Sequence, residues 1–180
     1  MIQRLADRLN RMSHWEGLVC ERFNRVSHYR WVRRLFRSAS RLGNGVFWYG
    51  LMGALLVWDG AAAVRPVLHM IAVGTVGTLL YKWLKARTSR PRPFEKNRRL
   101  LISTHPLDEF SFPSGHTLHA VAFSIVVLAY YPGLAWLVLP FSALVSLSRL
   151  VLGLHYPSDV LAGAFVGTLV ASASFLPFYR

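Results

Sequence analysis

Cysteine is almost missing from this 180-residue chain, which holds only Cys20. One thiol excludes an internal disulfide and any cysteine-based zinc site. Nothing in the surrounding sequence marks Cys20 as reactive, and it is expected to be inert. Acidic residues are scarce as well: eight, against 21 lysines and arginines, for a formal charge of +13. Only Asp108 and Glu109 are adjacent, and both lie in a polar stretch. Metal-dependent hydrolysis relies on clustered carboxylates, so neither a metal nor another cofactor is expected. Charged residues of both signs make up 16%, below the roughly 25% of an ordinary soluble domain. Apolar residues make up 53% and mean hydropathy is +0.34, which excludes a disordered chain. The first forty residues contain no apolar run free of arginine, so no cleavable signal peptide is expected. There is no internal repeat and no low-complexity tract.

A greasy and strongly basic chain points to membrane spans with charge crowded into the connections. A nucleic-acid partner is not expected, because such binders carry their basic residues on a polar face. A span needs about 20 mostly apolar residues, and about five stretches qualify: 46–64, 66–84, 117–131, 134–152 and 158–178. Gly163 with Gly167, and Ser142 with Ser146, have the four-residue spacing that lets membrane helices approach closely. Residues 1–43 differ: ten arginines alternate with Leu5, Leu9, Trp15, Phe23, Trp31, Leu35 and Phe36. That pattern reads as an amphipathic helical arm lying among lipid headgroups. The expected fold is therefore all-α: a multi-pass membrane helical bundle over 44–180, with a basic interfacial arm over 1–43.

Three polar clusters interrupt the apolar segments. Lys85, Arg87, Arg90, Arg92 and Pro93 follow the second span; Pro113, Ser114, Gly115 and His116 open the third; Ser148, Arg149, His155 and Asp159 bridge the fourth and fifth. Counting crossings brings all three to the same membrane face. Ionisable residues at span ends are functional candidates. Lys85, Arg92 and Arg149 are three fixed cations that repel one another unless an anion lies between them, and arginine's fork suits phosphoryl oxygens. Ser114 reads as a helix N-cap whose following amides would bind phosphate. Asp159, one turn after His155, would hold one imidazole nitrogen and leave the other free to attack.

At these residues the chain resembles the type 2 phosphatidic acid phosphatase (PAP2) superfamily, whose motifs are K-x6-RP, PSGH and SR-x5-H-x3-D. Every defining position is matched between Lys85 and Asp159. The resemblance implies that His155 is the nucleophile, that Asp159 orients it, and that His116 protonates the leaving oxygen and later activates water. It implies that Lys85, Arg92, Ser114, Gly115 and Arg149 hold the phosphoryl oxygens, with no metal. The implied protein is a small bacterial lipid phosphatase of the inner membrane, working through a phosphohistidine. Family substrates include phosphatidic acid, phosphatidylglycerol phosphate, lipid A phosphates and polyprenyl diphosphates; undecaprenyl diphosphate or a glycerophospholipid phosphate is favoured here. The family's soluble vanadium haloperoxidases fit poorly with the apolar spans. A lipid phosphotransferase using the same covalent step, and a non-enzymatic lipid-binding protein, are the alternatives.

Topology pulls two ways. All Lys and Arg except Arg65 and Arg180 fall on the catalytic face, which the positive-inside rule places in the cytoplasm. The resemblance places the active site on the extracytoplasmic side. Outside the motifs, His69 is expected as a helix contact, His119 as a packed polar residue and His105 as a solvated loop histidine. Arg87 and Arg90 are expected to meet solvent or headgroups. Trp48, Trp58, Trp83 and Trp136 are expected as interface anchors.

Overall fold

The computed structural model describes residues 2–102, 104 and 108–176, with side chains from residue 14 onward. His105, Arg180 and the far end of the fifth predicted span lie outside the described residues, as do the side chains of the first arm residues, including Arg4, Arg8 and Arg11. Among the described residues there is no strand. The α-helices of the described residues run in order: α1 (Ile2–Arg25), α2 (Arg30–Arg41), α3 (Phe47–Asp59), α4 (Val64–Thr88), α5 (Pro93–Lys96), α6 (Gly115–Tyr130), α7 (Ala135–Val151) and α8 (Pro157–Ala173).

The helix ends follow local chemistry. α6 starts where Ser114 takes an extended N-cap conformation and its hydroxyl accepts from the Thr117 amide. Pro157 is the first residue of α8, where its missing N–H costs nothing. The first predicted span ends early: α3 stops at Asp59 because Gly60 takes φ 56°, a left-handed value that breaks the helix. Two stretches, within Arg30–Lys96 and Pro132–Val151, are long and apolar enough to cross a bilayer. α6 and α8 are apolar but shorter.

α6 is the central helix, packed against α4, α7 and α8. Its approach to α8 depends on two glycines. A Cβ on Gly163 would lie 2.4 Å from the Ser114 carbonyl oxygen, and one on Gly167 would lie 2.5 Å from that of Leu118. Ser142 of α7 bonds Ser124 at 2.7 Å and the Ala120 carbonyl at 3.1 Å on α6. The two small-residue pairs read from the sequence thus include residues at both of these α6 contacts.

The apolar core includes Met52, Met70, Val73, Val126, Val138 and Val145. Trp48 belongs to it, which corrects its expected place at the interface. It is 1% exposed, with ring centroids 5.2 Å from Phe123 and 5.7 Å from Phe141. The stop at Asp59 and the turn at 42–46 put Trp48 one residue into α3, where the helix faces inward. Trp58, Trp83 and Trp136 are exposed. So are Leu161, Phe165 and Leu169, which form one stripe on the outside of α8, and Leu68 and Ile71 on α4. Buried polar groups and an apolar exterior are the reverse of a water-soluble surface. At the end of the bundle away from the motifs, His69 joins helices as expected, bonding Tyr130 at 3.0 Å and Ser174 at 2.7 Å.

Candidate active site

The motif-bearing ends of α4, α6, α7 and α8 meet at one end of the bundle. Lys85, in the last turn of α4, is buried; its Nζ donates to the Phe110 carbonyl at 2.6 Å and pairs with Asp108 at 3.2 Å. Arg92 caps α5, its amide donating to Glu95 at 2.9 Å. Its guanidinium, 1% exposed, donates to the carbonyls of Asp108 at 2.8 Å and Leu154 at 2.8 Å. That ties the first motif to the loop carrying the third. Arg149 lies in the last turn of α7 and accepts at its carbonyl from the Leu154 and His155 amides, at 3.0 and 3.1 Å. This tight turn folds His155 back over the arginine. The Arg149 Nη1 donates to Ser40 at 2.5 Å, while its buried Nε has no hydrogen-bond partner.

The start of α6 is fastened to α8: the Ser114 amide donates to the Asp159 carbonyl at 2.9 Å. The first amides of a helix have no intrahelical acceptor, so those of Gly115 and His116 are available to an anion. The Ser114 hydroxyl is fully buried and also meets Thr117 Oγ1 at 3.1 Å. His116 Nε2 bonds Asn44 Oδ1. His119, one turn on, bonds the Gly115 carbonyl at 2.9 Å and Thr78 at 3.1 Å, the packed polar role expected of it.

His155 is 1% exposed. Its Nε2 lies 3.4 Å from Arg92 Nη1 and its Nδ1 lies 3.6 Å from Asp159 Oδ2. A guanidinium only donates, so Nε2 presents its lone pair toward the arginine and the Nδ1 proton faces Asp159. Burial, then the charges of Arg149, Arg92 and Lys85, push the imidazole well below the usual histidine range. It is neutral at pH 7, the form a nucleophile needs.

Arg90 is the main correction. Expected among headgroups, it instead donates to Asp159 Oδ1 at 2.6 Å, to Ser158 Oγ at 2.7 Å and to Glu16 Oε2 at 2.6 Å. Arg87 is exposed and lies 5.6 Å from the Trp83 ring. The sequence also gave no notice of Glu16, Ser40 or Asn44, which come from the first 44 residues, outside every motif. Cys20 is buried, 3.6 Å from the His155 carbonyl, and burial pushes its thiol up to about 12. Among the described residues no group of three or more His, Cys, Asp or Glu side chains is placed to share a metal ion.

Beside His116 opens a cavity of about 400 Å³, lined by Trp48, Met52, Ile71, Leu79 and Phe123 among others. It lies between α3, α4 and α6, with Asp108 and His116 at its polar end.

The family model of the PAP2 superfamily matches residues 63–180. Undecaprenyl-diphosphatase BcrC of Bacillus subtilis is 30% identical over 117 residues, covering 65% of this chain and 60% of that protein. The bacitracin transport permease protein BcrC of Bacillus licheniformis is 34% identical over 159 residues, covering 81% and 76%. The chain thus spans less than two thirds of the first relative and about three quarters of the second. The crystal structure of a transmembrane PAP2-type phosphatidylglycerolphosphate phosphatase from Bacillus subtilis shares the fold. Its TM-score is 0.71 at 24% identity, covering 92% of this chain and 85% of that one.

Proposed function

Because the chain belongs to the PAP2 superfamily, we propose that it is an integral phosphatase of the bacterial cell membrane that hydrolyses a lipid phosphomonoester or diphosphate through a phosphohistidine on His155. The observation that carries this reading is the orphaned Arg149 Nε, buried beside Lys85 and Arg92 and next to a neutral imidazole. Buried charge needs a partner, and a phosphoryl group supplies three oxygens for three cations.

His155 Nε2 attacks phosphorus, forming the N–P bond as the bond to the lipid oxygen breaks. His116 gives that oxygen its proton. The ring becomes cationic, and Asp159 stabilises it from the Nδ1 side. Water then loses a proton to His116 and attacks phosphorus. The N–P electron pair returns to His155, and phosphate leaves. Lys85, Arg92, Arg149, Ser114 and Gly115 hold the equatorial oxygens, where charge develops.

The apolar cavity beside His116 supports a leaving group that carries a hydrocarbon chain, since the lipid must lie on the side of the acid that protonates it. Undecaprenyl diphosphate is the first candidate, given the name of the Bacillus subtilis relative, followed by phosphatidylglycerol phosphate and phosphatidic acid. The apolar outer stripes support membrane spans, about five as read from the sequence, over 44–180. Exposed Trp15, Trp31 and Leu35 among arginines support residues 1–43 as an interfacial arm.

The test is phosphate release by the purified protein from these three lipids and from a soluble phosphomonoester. The lipids are expected to turn over far faster, with no loss in EDTA and with competitive inhibition by vanadate, which adopts the five-coordinate geometry. Loss of activity in EDTA, or equal turnover of the soluble ester, contradicts the proposal. Among the described residues Ser40 is the hydrogen-bond partner of the Arg149 guanidinium, and Ser40→Ala removes it. A hydrogen bond to a charged group contributes about 1.5 kcal/mol or more, so kcat/KM is expected to fall about tenfold. An unchanged value would take Arg149 out of the phosphate cradle.

A further inference from the structure

Glu16 stands in the arm, 139 positions before the nucleophile in the chain, yet its carboxylate is buried at the catalytic end. Its Oε2 accepts from Arg90 at 2.6 Å and its Oε1 from the Ser158 amide at 3.0 Å. The other arm of the Arg90 fork holds Asp159 Oδ1 at 2.6 Å, and the guanidinium lies 4.2 Å over the Tyr156 ring. The second Asp159 oxygen accepts from the Tyr156 amide at 2.8 Å and faces His155 Nδ1. Carboxylate, guanidinium, carboxylate and imidazole thus form one line from the arm to the nucleophile.

We propose that Glu16 is a positioning residue for the His155–Asp159 pair, acting through Arg90. The inference rests on the phosphohistidine reading above. Its basis is a charge count. Arg90 and Asp159 alone form a neutral pair, which offers little to the cationic ring made when His155 takes the phosphoryl group. Adding Glu16 gives the trio a net charge of −1, the counter-charge that ring needs. The other groups facing His155 cannot supply it. Arg149 on α7, Arg92 before α5 and Lys85 on α4 are cations, and the nearby Asp108 carboxylate is paired with Lys85 at 3.2 Å; His116 on α6 is an imidazole; Cys20 on α1 is a protonated thiol at the His155 carbonyl. Glu16 also shares out the Arg90 fork, so that Asp159 keeps one oxygen turned to the imidazole. Glu16 is not needed alone to anchor α1. Asn24 already fastens α1, with its amide donating to the Val151 carbonyl at 2.9 Å and accepting from Leu101 at 2.7 Å.

The test uses the full-length protein with the lipid phosphate it hydrolyses best. Glu16→Gln keeps the shape and removes the charge. We expect kcat/KM to fall about tenfold, the scale set by outer partners that orient a reacting group. The acid limb of its pH profile should move to lower pH, because losing an anion favours the neutral imidazole. Glu16→Asp retains the charge and should keep the limb where the native protein has it. Glu21→Gln, five residues on in α1 and paired with Arg25 at 3.7 Å, should change neither. A native rate and limb in Glu16→Gln would overturn the inference. So would a lower rate with a lower melting temperature and an unmoved limb, which is the signature of mere anchoring. Undiminished hydrolysis in His155→Ala would instead overturn the phosphohistidine reading itself.

Discussion

His155→Ala is expected to lower lipid-phosphate hydrolysis by about ten-thousandfold, the scale of losing the nucleophile of a covalent mechanism. The geometry gives the reason. His155 is buried among cations, with its Nε2 lone pair turned to Arg92 and its Nδ1 side covered by Asp159. No other described histidine combines these features: His116 is partly exposed and bonds Asn44, and His119 is tied to Gly115 and Thr78. The truncation leaves a space beside Arg92 and Arg149 but keeps the cradle, so substrate should still bind and the loss should fall on kcat. Phosphate release by the purified variant checks this, with vanadate protection or lipid binding reporting the surviving cradle. Hydrolysis within tenfold of the native rate would remove His155 as the attacking group.

Gly163→Ala is expected to cost about 1–3 kcal/mol in stability, the usual range for forcing an extra carbon into a packed contact. It should also lower kcat about a hundredfold. The added carbon would lie 2.4 Å from the Ser114 carbonyl oxygen. That neighbour is backbone in the first turn of α6, so no side-chain rotation relieves it. The helices must part by roughly an ångström. Ser114, Gly115 and His116 ride on α6, while His155 and Asp159 are fixed to the start of α8. A shift of about 1 Å between reacting groups is enough for a loss of that size. Gly133→Ala, where the added carbon meets nothing within 4 Å, is the control and should be silent in both melting temperature and rate. If Gly163→Ala kept native activity and stability, close α6–α8 contact would not position the site.

What the sequence disclosed and what it hid follow different physics. Helix starts at Ser114 and Pro157 were legible because capping chemistry is local, within three residues. The gathering of Lys85, Arg92, Ser114, Arg149, His155 and Asp159 at one bundle end was legible because apolar helices joined by short connections reverse direction, so alternate connections share an end. Gly163 and Gly167 were visible from spacing alone, since four residues make about one helical turn. Arg90 was misread because its neighbours in the sequence are other cations, whereas its partners, Glu16 and Asp159, lie 74 and 69 positions away. Ser40 and Asn44 were invisible for the same reason: a serine and an asparagine near a basic arm carry no signal until the chain folds the arm over α7 and α6. Trp48 was misplaced because an aromatic near a span end suits either the lipid boundary or the core, and only the start point of α3 decides which.

The most direct measurement is capture of the covalent intermediate. Protein mixed with a lipid phosphate labelled in its terminal phosphoryl group is quenched in alkali within milliseconds, because phosphohistidine survives base and is lost in acid. Peptide mass spectrometry then locates the label. Phosphate bound to His155, in an adduct that forms and decays at rates matching turnover and is missing from His155→Ala, is the predicted result. Full turnover with no labelled histidine, or a label on another side chain, would contradict it.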